Sequence, residues 1–272
     1  MSVRRRPASL HSVFERTFHE HRRSILAWSA GLFGLAVIMA ALYPTIRSNP
    51  QLATLHETYP KALRSLFGIT DLTTGVGFMR AEVFSLVAPL LLIVLAVLWG
   101  GDLIAGEEDR GTIDILLANP ISRGRVLLEK WAALAAGVTL TGAALAAGLA
   151  VAIPLVDLHI GVAGVAAAVV SVVLLALLFG TIALAVGAAT GRRGLARGSA
   201  VVLAVAAYLV SSLADLVGWM KAVRPASPWY HALGVDPLAN GFSPTHLLVP
   251  LGLTMIVMVV AVHTFNRRDL AV

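Results

Sequence analysis

Residues 158–191 read LHIGVAGVAAAVVSVVLLALLFGTIALAVGAATG, a run without one Asp, Glu, Lys or Arg. A helix needs about 20 apolar residues to cross a hydrocarbon layer about 30 Å thick. The run therefore exceeds one crossing, and 165–189 offers no polar turn at which it could fold into two. One long membrane helix is the consistent reading. Similar charge-free runs occupy 24–46, 83–101, 131–156, 198–214 and 237–266, each long enough for one span. Six spans follow, expected at 24–43, 83–103, 131–154, 162–190, 198–216 and 245–265.

Composition agrees with that count. The chain has 272 residues, 58% of them hydrophobic and 13% charged, whereas soluble domains carry about 25% charge. So few charges cannot clothe a water-facing surface, and disorder is excluded on the same ground. The net charge of +6 fits loops that orient a membrane protein better than nucleic-acid binding. With an even number of spans both termini share a side, and 15 of the 21 basic residues fall there. The positive-inside bias makes that side cytoplasmic. Trp28, Trp99, Trp131 and Trp219 lie near expected helix ends, where headgroup-level rings are favoured.

Arg4–Arg6 precede an apolar run, as in a signal peptide, but the run from Ser24 is too long for one and no A-x-A site follows. It reads as the first span. Ahead of it, Leu10, Val13, Phe14 and Phe18 fall at helical spacing opposite Arg16, His19 and Glu20. That pattern suits a cytoplasmic amphipathic helix lying on the membrane. Residues 217–244 carry four prolines, which forbid a long helix and allow short external ones.

Catalytic chemistry is absent from the pattern. None of the three lysines, Lys61, Lys130 and Lys221, follows a glycine, so no phosphate-cradling P-loop exists. HExxH and GxSxG are missing too. There are no cysteines, which removes thiolate metal sites. His19 and His21 point about 200° apart on a helix and read as a solvated face rather than a metal pair. Glu82, Asp102 and Asp215 sit at span ends rather than mid-membrane, which argues against a carrier driven through a buried charge relay. No resident cofactor is expected.

The informative segment is the loop 104–130, whose residues 106–125 read GEEDRGTIDILLANPISRGR. Glu107, Glu108 and Asp109 precede Gly111 and Thr112, placing acids at the positive start of a short helix. Ile113, Leu116 and Leu117 form an apolar stripe at spacings of three and four, and Pro120 ends it. An apolar stripe rimmed by acids suits a protein groove better than an anionic membrane surface.

This segment resembles the cytoplasmic loop of ABC-2-type permeases. Gly106, Glu107, Gly111, Thr112, Ile113, Asp114, Leu116, Leu117, Pro120, Ile121, Ser122, Arg123 and Lys130 match that pattern in order. The resemblance implies an all-α membrane domain whose ATP and Mg are bound by a separate ATPase subunit, two copies of which would pair with two permeases. It implies that the loop forms a coupling helix seated in the ATPase, that the N-terminal amphipathic helix also contacts it, and that cargo leaves between the permeases. The expected docking set is Glu107, Asp109, Gly111, Thr112, Ile113, Asp114, Leu116, Leu117, Pro120, Ser122, Arg123 and Lys130. In it Leu116 and Leu117 are the anchors, and Glu107, Asp109 and Arg123 the ionic positioning groups. A lipophilic or amphipathic cargo and a bacterial plasma membrane complete the expectation. The competing reading is a non-transport scaffold or sensor that docks a cytosolic partner through residues 107–125.

Overall fold

The computed structural model describes residues 12–49, 59–69, 71–112 and 121–268. Among these residues every regular element is helical. Six helical stretches are long and apolar enough to cross a membrane.

The first, α1 (Val13–Ser48), opens on Ser12, whose side chain accepts the Glu15 amide, and runs through Pro44 without a break. At 1.5 Å per residue its 36 residues extend about 54 Å, well past a bilayer core. The expected separate amphipathic helix is thus the first turns of α1. Nothing in His19-Glu-His-Arg-Arg-Ser24 breaks a helix, and Phe14 and Phe18 pack against the core instead of lying on lipid.

The chain re-enters through α2 (Lys61–Phe67), which stops at Gly68 in the left-handed region, φ 61°. Next come α3 (Gly75–Met79), a π-helical turn (Arg80–Phe84) and α4 (Val87–Leu103). The apolar stretch thus starts at Gly75, ahead of the expected 83, with an irregular turn near its entry. After the short α5 (Ala105–Asp109) and the loop, α6 (Arg123–Val156) and α7 (Val162–Thr190) form a long antiparallel pair. Asp157 turns the corner at φ 56°. Then come α8 (Arg193–Leu213), α9 (Gly218–Val223), a 3-10 turn (Arg224–Ala226), α10 (Pro228–Leu233), α11 (Pro237–Asn240) and α12 (Pro244–Arg267). The proline-rich stretch does break into short helices, with Pro228, Pro237 and Pro244 each in the first turn of its helix, where the missing amide costs nothing.

Helix α7 is apolar on every side and sits at the centre, against α4, α6, α8 and α12. Small residues set the closest approaches. A Cβ added at Gly100 would lie 2.2 Å from the Gly180 carbonyl oxygen, so α4 and α7 touch backbone to backbone. Along the α1–α6 seam, a Cβ at Gly148 would lie 2.7 Å from the Phe33 carbonyl oxygen.

Two of the expected interfacial tryptophans belong to this core instead. Trp99 is 3% exposed, fills the space beside Gly137 and stacks on His21 with ring centroids 4.4 Å apart. His21 therefore faces inward, on Trp99 and the Thr17 carbonyl, rather than on a solvated face. Trp131 donates its Nε1–H to Thr181 Oγ1 at 2.8 Å. A flat ring beside a glycine gains more dispersion contact than it would among headgroups. Trp28 packs half-buried on the same core, while Trp219 is 64% exposed.

Candidate functional site, an ion-paired platform after α4

Helix α1 begins and α12 finishes at one end of the bundle, and α4 delivers the informative loop to that end. Helix α4 breaks at Ile104, and α5 follows at once with Glu107 and Glu108 in its first turn. Acids there meet the positive end of the helix dipole. The element closes at Gly111, φ 65°. The Gly111 amide donates to the Glu108 carbonyl at 2.9 Å and the Thr112 amide to the Glu107 carbonyl at 2.9 Å. Thr112 Oγ1 adds a bond to that same Glu107 carbonyl. The residues read as the start of a docking helix therefore first form a small capped helix of their own. Ile113, Asp114, Leu116, Leu117 and Pro120 lie outside the described residues.

The acids of this turn reach inward. Lys130 Nζ, on α6, donates to Glu107 Oε1 at 2.5 Å. The Lys130 side chain is 4% exposed and that of Glu107 13%. Two charges so placed must be paired, because either alone would carry its full desolvation cost. Glu108 is held by both terminal nitrogens of Arg268, at 2.7 and 2.8 Å, in the two-pronged geometry that suits guanidinium and carboxylate. Arg268 also donates to the Ala188 carbonyl, and its own carbonyl accepts from Arg123 at 2.6 Å. Gly191, in the left-handed region at the end of α7, is what leaves room. A Cβ there would lie 2.1 Å from Glu108 Oε2.

Asp102, in the last turn of α4, accepts from Arg193 at 2.5 Å and pairs with Arg197 at 2.9 Å. Asp109 stands 3.7 Å from Arg193. On the α1 side, Glu129 accepts the Phe14 amide and the Arg125 guanidinium. Ser122 caps α6 by accepting the Arg125 amide. Asp102, Glu107, Glu108 and Asp109 thus tie the end of α4 and α5 to α6, to α8 and to Arg268 just past α12, which itself bonds the end of α7.

Between α1, α4 and α6 lies a polar cavity of about 350 Å³ lined by Arg16, Glu20, His21, Asp102, Glu107 and Lys130, among others. Glu107 Oε2 is buried and has no hydrogen-bond partner. Among the described residues no group of three His, Asp or Glu could hold a metal ion. The described groups form an ionic joint where several spans meet one loop.

Of the expected docking residues, Glu107, Thr112, Arg123 and Lys130 come together here, but they bind one another's neighbourhoods within the chain. Glu107 and Arg123 carry bonds within the chain, to Lys130 and to the Arg268 carbonyl. The pattern left out Asp102, Glu108, Arg193, Arg197 and Arg268. Two features point to Asp102, Arg193 and Arg197: a lone carboxylate at the end of an apolar span, and arginines spaced by four at the start of α8.

The family model described as ABC-2 family transporter protein matches residues 13–270. No curated protein matches the chain. The match takes in all six membrane-capable helices and the ion-paired turn between the second and third. The chain belongs to the ABC-2 transporter family and is a multi-pass membrane protein, the permease subunit of an ABC transporter whose ATPase is a separate subunit.

Proposed function

We propose that this permease carries a lipophilic or amphipathic cargo outward, driven by ATPase subunits docked on the loop 104–130. The observation that supports this reading is the buried Lys130–Glu107 pair, with Arg268–Glu108 beside it. A force applied to the loop passes through these bonds into α6, α4 and α12. A flexible tether in the same place would dissipate it. In this reading Leu116 and Leu117 are the apolar anchors in the ATPase, Asp109 and Asp114 its ionic rim, and Pro120 the stop before α6. Glu107, Arg123 and Lys130 are positioning residues that hold the docking segment to the spans.

Two permeases and two ATPases make the working unit, with ATP and Mg held by the ATPases. Both termini lie in the cytoplasm of a bacterial cell, since most basic residues cluster at that end. ATP binding closes the ATPases, and the closure favours one arrangement of the spans by its differential affinity for it. The cargo path runs between the permeases. The absence of charged residues at mid-span suits a cargo that carries its own apolar surface.

Replacing Leu116 and Leu117 with Asp should release the ATPase from the detergent-purified complex and stop ATP-driven efflux from vesicles, with the permease still inserted. Retained ATPase and unchanged efflux would overturn the docking role. A co-purifying partner without a P-loop would favour a scaffold instead.

A further inference from the structure

At the opposite end of the bundle, the short helices enclose a second cavity of about 460 Å³. That is within the size range of small-ligand sites. Its walls come from α2, the π-helical turn, Ala168 of α7, the end of α8, the 3-10 turn, α10 and α11. Tyr208 fastens α2 to α8 by donating to the Leu66 carbonyl at 2.5 Å.

The charges around this cavity do not cancel. Lys61, Arg64, Arg80 and Arg224 line it, against Asp215 and Asp236. Arg80 is spent on Asp236 at 2.7 Å and Arg224 shares Asp215 at 3.2 Å. Among the described residues no carboxylate lies within ion-pair distance of Lys61 or Arg64. Arg224 Nε is buried without a hydrogen-bond partner, although the guanidinium also rests 4.8 Å over the Tyr230 ring. A buried cationic donor left unfilled costs free energy unless something accepts from it. Leu66, Phe84, Leu216 and Trp229 supply apolar wall beside these cations, and Trp229 is only 5% exposed.

We infer that this cavity binds a phosphate-bearing amphiphile, its anionic group between Lys61, Arg64 and Arg224 and its apolar part along Phe84, Leu216 and Trp229. The chemistry fits an anionic phospholipid headgroup, and a soluble phosphate would use the same cations. The site does not depend on the transport reading, because binding is measured without ATP.

The test is native mass spectrometry of the full chain in detergent, titrated with phosphatidylglycerol or phosphatidylcholine. Phosphatidylglycerol should bind more tightly. The double variant Lys61→Gln, Arg64→Gln should weaken it about thirtyfold, as loss of two basic contacts implies. Lys61→Arg, Arg64→Lys should keep it, and Lys221→Gln, an exposed cation outside the cavity, should change nothing. Millimolar inorganic phosphate that displaces the lipid, where equal chloride does not, identifies a soluble phosphate as a second source. No displacement identifies the lipid alone. Equal binding of the two lipids, or an equal loss in the Lys221 variant, would overturn the site. Unchanged elution and melting of each variant keep misfolding from imitating the loss.

Discussion

The two ends of this bundle use charge in opposite ways. Where the helices α1 and α12 meet the loop, Asp102, Glu107, Glu108 and Asp109 all have cationic partners on other helices. At the far end, two cations beside a cavity have no carboxylate within ion-pair distance among the described residues. The first arrangement makes a joint, because buried opposite charges resist separation. The second leaves cationic charge uncompensated, and so a place for an anion. Similar residue types, differing only in balance, give rigidity at one end and receptivity at the other.

The comparison breaks most readily at Lys130. Lys130→Ala leaves the Glu107 charge buried without its partner, which should cost about 3–5 kcal/mol. The measurement is the melting temperature of the detergent-purified chain. Lys130→Met with Glu107→Leu should recover most of that loss while leaving efflux impaired, because an apolar pair restores packing without the directed bond. If the single variant melts like the parent, the joint is not a buried ion pair.

Gly100→Ala probes whether the bundle between the ends is as tight as the joint. The added Cβ meets the Gly180 carbonyl oxygen at 2.2 Å, so α4 and α7 must part, at about 1–3 kcal/mol. The same substitution at Gly31, where a Cβ meets nothing within 4 Å, should leave the melt unchanged. At the far end, Asp236→Asn removes the partner of Arg80. These side chains are 17% and 31% exposed, so solvent screens part of the effect and about 1 kcal/mol is expected. That loss should be accompanied by tighter binding of an anion in the cavity, since one more cation is released. Smallest of all should be Arg16→Ala, whose i,i+4 pair with Glu20 is mostly exposed, at about 0.3–0.5 kcal/mol. A loss above 1 kcal/mol there would mean that the cavity beside Arg16 depends on its charge.

Much of the fold is legible along the chain because membrane residence is a local property. Twenty apolar residues make a span whatever their neighbours are, so 158–191 already announces α7 as one long span. The loop signature is equally local and marks the family by itself. The Lys130–Glu107 pair is less legible, since nothing nearby in sequence suggests that Lys130, on the next span, turns toward Glu107.

Longer separations hide more. Asp102 meets Arg193 across 91 positions and Glu108 meets Arg268 across 160. Such pairs depend on which helices lie side by side, and that in turn depends on glycines such as Gly100, Gly180 and Gly191 letting backbones and charges approach. Trp99 and Trp131 were misplaced for the same reason. Their positions in sequence mark helix ends, while the space beside Gly137 and the hydroxyl of Thr181 drew them inward. The number of spans, their helical character and the loop motif follow from residues close together in the chain. The ionic joint and the cationic cavity arise from packing, because attraction between charges depends on distance in space and not along the chain.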